Sequence, residues 1–267
     1  MLLTETQREI RDMARDYARE KLAPTAADRD REHKFPAAEI REMGQLGFLG
    51  MTTPEAYGGS DVGAVAYACV LEEIAAGEGA CSTILSVHNS VACGPIVKFG
   101  TEAQKQRFLP KLASGEWVGG FALSEPQAGS DAANLLTRAV RDGDHYVLSG
   151  TKQLITSGKN GNVIIAFAVT DPAAGKKGIS AFIVPTDAPG YKVVRVEEKL
   201  GQNASDTCQI AFDEMRLPSD LILGKPGEGY RIALSNLEGG RVGIAAQSVG
   251  MARAAFEAAR DYARERI

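Results

Sequence analysis

The segment Phe121–Asp131, FALSEPQAGSD, concentrates side chains suited to gripping a small ligand. An apolar run from Trp117 to Leu123 breaks at Ser124 into a polar loop with two hydroxyls (Ser124, Ser130), two carboxylates (Glu125, Asp131), a proline and a glycine. A strand that stops to present small polar groups and backbone N–H donors can hold an anionic or heterocyclic ligand. The same residues also suit an ordinary turn, since Pro, Gly, Ser and Asp are all turn formers. Metal chemistry has little to build on. Cys69, Cys81, Cys93 and Cys208 form no CxxC pair, and His33, His88 and His145 are scattered. Neither GxGxxG nor GxxxxGK[ST] occurs, so a Rossmann or P-loop nucleotide site has no support.

A chain of 267 residues allows one large core or two to three smaller ones. A 44% hydrophobic and 24% charged composition is that of a globular protein. A net charge of −4 argues against nucleic acid as a main partner. No window approaches 18 consecutive apolar residues, so no membrane partner is expected, and unpaired cysteines fit a reducing, cytoplasmic location. The N-terminus is charged and helical in period, unlike a secretory signal.

Three segments follow. Residues 1–115 read as an all-helical domain. Its first helix carries Ile10, Met13, Ala14 and Tyr17 on one face and is expected to end at Pro24. Val62–Ala76 and Ile84–Val97 are apolar nearly all round, as at the centre of a bundle, and Thr101 reads as the N-cap of a further helix. Residues 116–224 hold short β-favouring runs punctuated by Gly, Asp, Asn and Pro, with a hairpin turn at Arg141–Asp144. This pattern predicts an antiparallel barrel or sandwich. In residues 225–267 the helical period returns, as Tyr230–Leu237 and then Val242–Arg266. The chain is therefore expected to be α+β: a helical bundle, a central antiparallel β-barrel or sandwich, and the start of a C-terminal bundle. Ending inside a helical pattern at Ile267, it reads as truncated.

The order of segments, joined to FALSEPQAGSD, Gly150–Thr156 (GTKQLIT), Lys199–Gly201 and Phe212–Gly224, resembles the acyl-CoA dehydrogenase family of flavoenzymes. Gly239–Gln247 resembles its short-chain, butyryl-CoA-type branch. The resemblance implies an FAD cofactor, an acyl-CoA substrate, an electron-transferring flavoprotein as acceptor and a homotetramer. It implies that Phe121, Leu123, Ser124, Gly129 and Ser130 line the flavin, with Leu154, Ile155 and Thr156 as the other wall. Ser130 would also touch the acyl-CoA, with Glu238, Gly239, Gly240 and Arg241. Arg266 would reach the flavin of a neighbouring subunit. Leu154 stands where the family generally has Trp, keeping apolar cover but losing stacking worth about 1 kcal/mol.

Dehydrogenation in this family needs a carboxylate base. The short-chain branch carries it on a helix that would lie past Ile267, and the alternative family position aligns with Gly240. The resemblance thus implies no catalytic residue within the chain. Three readings follow: a short-chain acyl-CoA dehydrogenase of fatty-acid β-oxidation, a flavin- or acyl-CoA-binding fragment without turnover, and an oxidase of the same family.

Overall fold

A computed structural model describes residues 2–267. The N-terminal helices are α1 (Glu5–Tyr17), α2 (Ala23–Glu32), α3 (Ala37–Gln45), α4 (Gly63–Gly77), α5 (Gly79–Val87), α6 (Gly94–Phe99) and α7 (Glu102–Ala113). Capping boxes start α1 (Thr4 with Gln7) and α7 (Thr101 with Gln104), each worth about 1 kcal/mol.

Pro24 does not end the first helix as expected. The chain widens into a π turn over Ala18–Leu22 and runs on as α2, with the Ala23 N–H bonding to Ala18 O. The wider turn rearranges the carbonyls that Pro24 could not satisfy. The same device recurs ahead of Pro95, where a π turn over His88–Cys93 joins α5 to α6. The stretch Gly79–Phe99 is long and apolar enough by composition to cross a membrane, yet 72% of its apolar window is buried inside the fold.

Eight strands follow: β1 (Gly119–Ala122), β2 (Arg138–Asp142), β3 (His145–Thr156), β4 (Val163–Val169), β5 (Ile179–Pro185), β6 (Tyr191–Val196), β7 (Thr207–Pro218) and β8 (Ile222–Leu223). They form one sheet in the order β6-β7-β3-β2-β4-β5-β8, with β1 added beside β4. Five pairings are antiparallel, as expected, but β1–β4 and β2–β4 are parallel, and the sheet does not close into a barrel. The parallel entry of β1 is set by Asn162. Its side chain accepts from Val118 N–H (2.9 Å) and its own N–H donates to Val118 O (2.7 Å), so both strands start side by side.

The expected break between two C-terminal helices is absent. A single 37-residue helix, α8 (Gly229–Glu265), runs through Gly239 and Gly240. Glycine costs about 1 kcal/mol in a helix interior. Close packing elsewhere on α8 offsets it, since Gly243 and Gly250 lie directly against the α4–α5 pair. One core joins the sheet to α6, α7 and the start of α8, and a second unites α1, α3, α4 and α5.

Candidate flavin and thioester cleft

The Ser124–Thr137 loop is built around a buried ion pair. Glu125 folds under the loop, its backbone exchanging two 3.0 Å hydrogen bonds with Ala128. Its carboxylate accepts from the N–H groups of Leu136 (2.6 Å) and Thr137 (3.1 Å). Lys152 of β3, fully buried, donates to Glu125 Oε1 (2.8 Å) and to Leu123 O (3.0 Å). Burial pushes the Lys152 ammonium down to about 8 against the pull of Glu125. Burial works to raise Glu125, but Lys152 and the two N–H donors outweigh it and hold the carboxyl low. Gln153 N–H closes the join on Ser124 O (2.9 Å). Glu125 is therefore turned inward, away from any ligand. Lys152 escaped the sequence reading as a functional residue, although a lysine inside an apolar strand was a visible signal.

Just past Lys152, the β3–β7 register slips and Leu154 takes a left-handed backbone (φ +60°) that is costly for a side-chain-bearing residue. The slip turns Leu154 outward, leaving it 62% exposed at the cleft. Strain of this kind gathers at functional sites. Across the cleft, the π turn brings Ser90 and Val91 beside Ser86 and Val87, and α8 supplies Leu234, Leu237, Gly240, Arg241 and Ile244. Buried His88 anchors this turn to the sheet, accepting from Gly119 N–H at Nδ1 (3.0 Å). Full burial pushes its pKa down to about 4, so the ring is neutral at pH 7.

The result is a cleft of about 580 Å3. It brings together Phe121, Leu123, Ser124, Gly129, Ser130, Leu154, Ile155, Thr156, Gly240 and Arg241. Three of the expected residues are not on it. Successive positions of α8 point in different directions, so Glu238 faces an outer groove and Gly239 a second chamber. Arg266 lies 25 residues beyond Arg241 on the far end of α8, roughly 37 Å along the axis, and cannot reach this chain's own cleft. The outer groove, about 760 Å3, shares Leu234, Leu237 and Arg241 with the cleft. It adds Lys176, Lys177, Tyr230 and Arg231, with the Lys176 ammonium 5.2 Å from the Tyr230 ring centre.

These walls fit a flat heterocycle with a polar edge. Phe121, Leu123, Leu154 and Ile155 are apolar, while the Ser124, Ser130 and Thr156 hydroxyls and the Gly129 and Ser130 N–H groups have no hydrogen-bond partner among the described residues. No Asp or Glu lines the cleft among the described residues. The cleft thus lies between strands β1 and β3 of the mixed sheet, the loop that follows β1, and helices α5 and α8.

Comparison with known proteins gives the family. The chain matches the acyl-CoA dehydrogenase N-terminal domain over residues 4–116, the middle domain over 120–215 and the C-terminal domain over 227–267. It belongs to the acyl-CoA dehydrogenase family. It is 46% identical over 264 residues to the mitochondrial short-chain specific acyl-CoA dehydrogenase of Bos taurus, covering 99% of this chain and 64% of that protein. It is 45% identical over 267 residues to an acyl-CoA dehydrogenase of Bacillus subtilis, covering 100% of this chain and 70% of that one. The solved structure of butyryl-CoA dehydrogenase from Megasphaera elsdenii superposes with a TM-score of 0.96 at 38% identity, over 100% of this chain and 71% of that chain.

Proposed function

We propose that this chain forms the cofactor- and substrate-holding part of an FAD-dependent dehydrogenase that converts a short-chain acyl-CoA to its trans-2-enoyl thioester. The observation that carries the reading is the cleft itself, where two apolar walls and a free polar edge converge from β1, β3 and α8. FAD, when bound, supplies the acceptor for the substrate's β-hydride. Phe121, Leu123, Ser124, Leu154, Ile155 and Thr156 would hold its ring, and the N–H groups of Gly129 and Ser130 its phosphates. The Thr156 hydroxyl is available to donate to the edge of the ring. Gly240 and Arg241 would flank the thioester. The outer groove would take the phosphorylated end of CoA, with Lys176, Lys177 and Arg231 as counter-charges.

The α-proton requires a carboxylate, which we assign to a part of the protein outside residues 1–267. Electron-transferring flavoprotein as acceptor, a homotetramer in which Arg266 meets a neighbour's flavin, and a cytoplasmic location complete the proposal. Three units, 1–115, 116–224 and 225–267, would divide the work. A second reading, ligand binding without turnover by this chain alone, is favoured by the lack of a carboxylate on the described cleft. The test is anaerobic addition of butyryl-CoA to the full-length, flavin-loaded protein. Bleaching of the flavin band supports the dehydrogenase reading, and an unchanged spectrum sinks it.

A further inference from the structure

Lys152 is bonded in a way that a structural lock alone does not need. Its fully buried ammonium is divided between two acceptors, Glu125 Oε1 (2.8 Å) and Leu123 O (3.0 Å). The Glu125 carboxylate has three further donors: Leu136 N–H (2.6 Å), Thr137 N–H (3.1 Å) and the Gln127 side-chain amide (2.8 Å). The pair is therefore asymmetric. The anion is shared among several donors, whereas the cation has one acceptor besides Glu125. That acceptor is the carbonyl of the peptide joining Leu123 to Ser124.

This peptide connects the buried ammonium to the cleft. The described residues contain no cis peptide bond. In a planar trans peptide the C=O and N–H point in opposite directions. With Leu123 O turned onto buried Lys152, the Ser124 N–H is turned away from it, at a partly exposed residue that lines the cleft. That N–H has no hydrogen-bond partner among the described residues. The next peptide is different. Ser124 O accepts from Gln153 N–H (2.9 Å), and Glu125 N–H donates to Ala128 O (3.0 Å), so both of its groups are used within the protein. The Leu123–Ser124 peptide alone at this junction has a carbonyl held by a charge and an N–H left for a ligand.

We propose that Lys152 is a positioning residue for the redox step, acting through the Leu123–Ser124 peptide to strengthen the Ser124 N–H as a donor to the flavin ring. The inference rests on the flavin reading of the cleft. Hydrogen bonds in a chain polarise one another, and a carbonyl held by an ammonium makes the N–H of its own peptide a stronger donor. Hydride transfer from the substrate carries two electrons and one proton, a net negative charge. A fixed donor at the polar edge of the cleft stabilises that charge without reorganisation. Lys152 thus favours the reduced cofactor over the oxidised one without touching it.

The test is the midpoint potential of the full-length, flavin-loaded protein, measured by anaerobic reduction against a reference dye at a pH well below the Lys152 pKa of about 8. Lys152→Met with Glu125→Gln removes the ammonium and leaves no buried charge. Lys152→Gln keeps a neutral donor for Leu123 O and serves if the double variant does not fold. Each is expected to bind FAD, to unfold cooperatively in urea, and to lose about tenfold in preference for reduced over oxidised flavin, a midpoint more negative by about 30 mV for two electrons. Glu125→Gln keeps the ammonium on Leu123 O and should leave the midpoint where it is or raise it. A merely structural role would loosen the loop in all three variants and move them the same way. The inference is overturned if the folded, FAD-bound variants lacking the ammonium keep the parent's midpoint, or if Glu125→Gln falls as far as they do. Failure of the parent protein to bind FAD would instead overturn the flavin reading and this inference with it, so the two failures are distinguishable.

Discussion

At the residue scale, the site depends on groups that never touch a ligand. Lys152 and Glu125 lock the loop onto β3 from beneath, so removing one partner should cost more than removing both. Lys152→Met leaves a buried unpaired carboxylate and is expected to destabilise the protein by about 3–5 kcal/mol. Lys152→Met with Glu125→Gln should recover part of that, as read by urea denaturation. An unchanged midpoint in the single variant would refute the locking role. His88 makes a second prediction, through pH. Its folded pKa of about 4 lies below the ordinary 6.5, so the unfolded chain binds the proton first as pH falls. Stability contributed by neutral His88 is complete above about pH 6.5 and is lost toward pH 4, by up to about 3 kcal/mol. His88→Gln keeps an acceptor for Gly119 N–H and should flatten the acid limb of the stability profile, and an identical slope would contradict the assignment. These residues were the least legible in the sequence. Glu125 read only as one of the loop's polar groups and Lys152 as part of a motif, because their pairing spans 27 positions and only the folded loop brings them together.

At the scale of elements, periodicity announced the buried helices and most strands, and Thr101 announced its own capping box. It failed where tertiary packing overrides local rules. Pro24 sits inside a helical run because a π turn precedes it, and two adjacent glycines pass through α8 because that helix is clamped along α4. The clamp is tight at Gly250, where a Cβ would lie 2.1 Å from the Glu72 carbonyl oxygen of α4. Gly250→Ala must therefore push α8 outward, despite alanine's better helix propensity. A loss of about 1–3 kcal/mol in thermal or chemical denaturation is expected. A stabilised variant would mean that α8 is not held to α4 as described. The parallel entry of β1 was invisible for a similar reason, since it rests on Asn162 meeting Val118 across 44 positions.

At the scale of the whole molecule, the order helices, sheet, long helix was legible because each segment changes hydrophobic period. The cleft was legible only through motif resemblance, since its walls come from three regions far apart in the chain. Resemblance placed eight of the expected flavin-side residues on one surface, but it could not foresee that Glu238, Gly239 and Gly240 would face three different spaces. The central claim is that this surface holds a flavin. Its most direct test is titration of FAD against the chain and its Leu154→Glu variant, followed by quenching of flavin fluorescence. Leu154 is exposed and already in a left-handed conformation, so the substitution alters the cleft wall and not the core. The account predicts saturation at one FAD per chain and at least about tenfold weaker binding when a carboxylate replaces the apolar cover. Absence of saturable binding, or equal affinity in the variant, would contradict it.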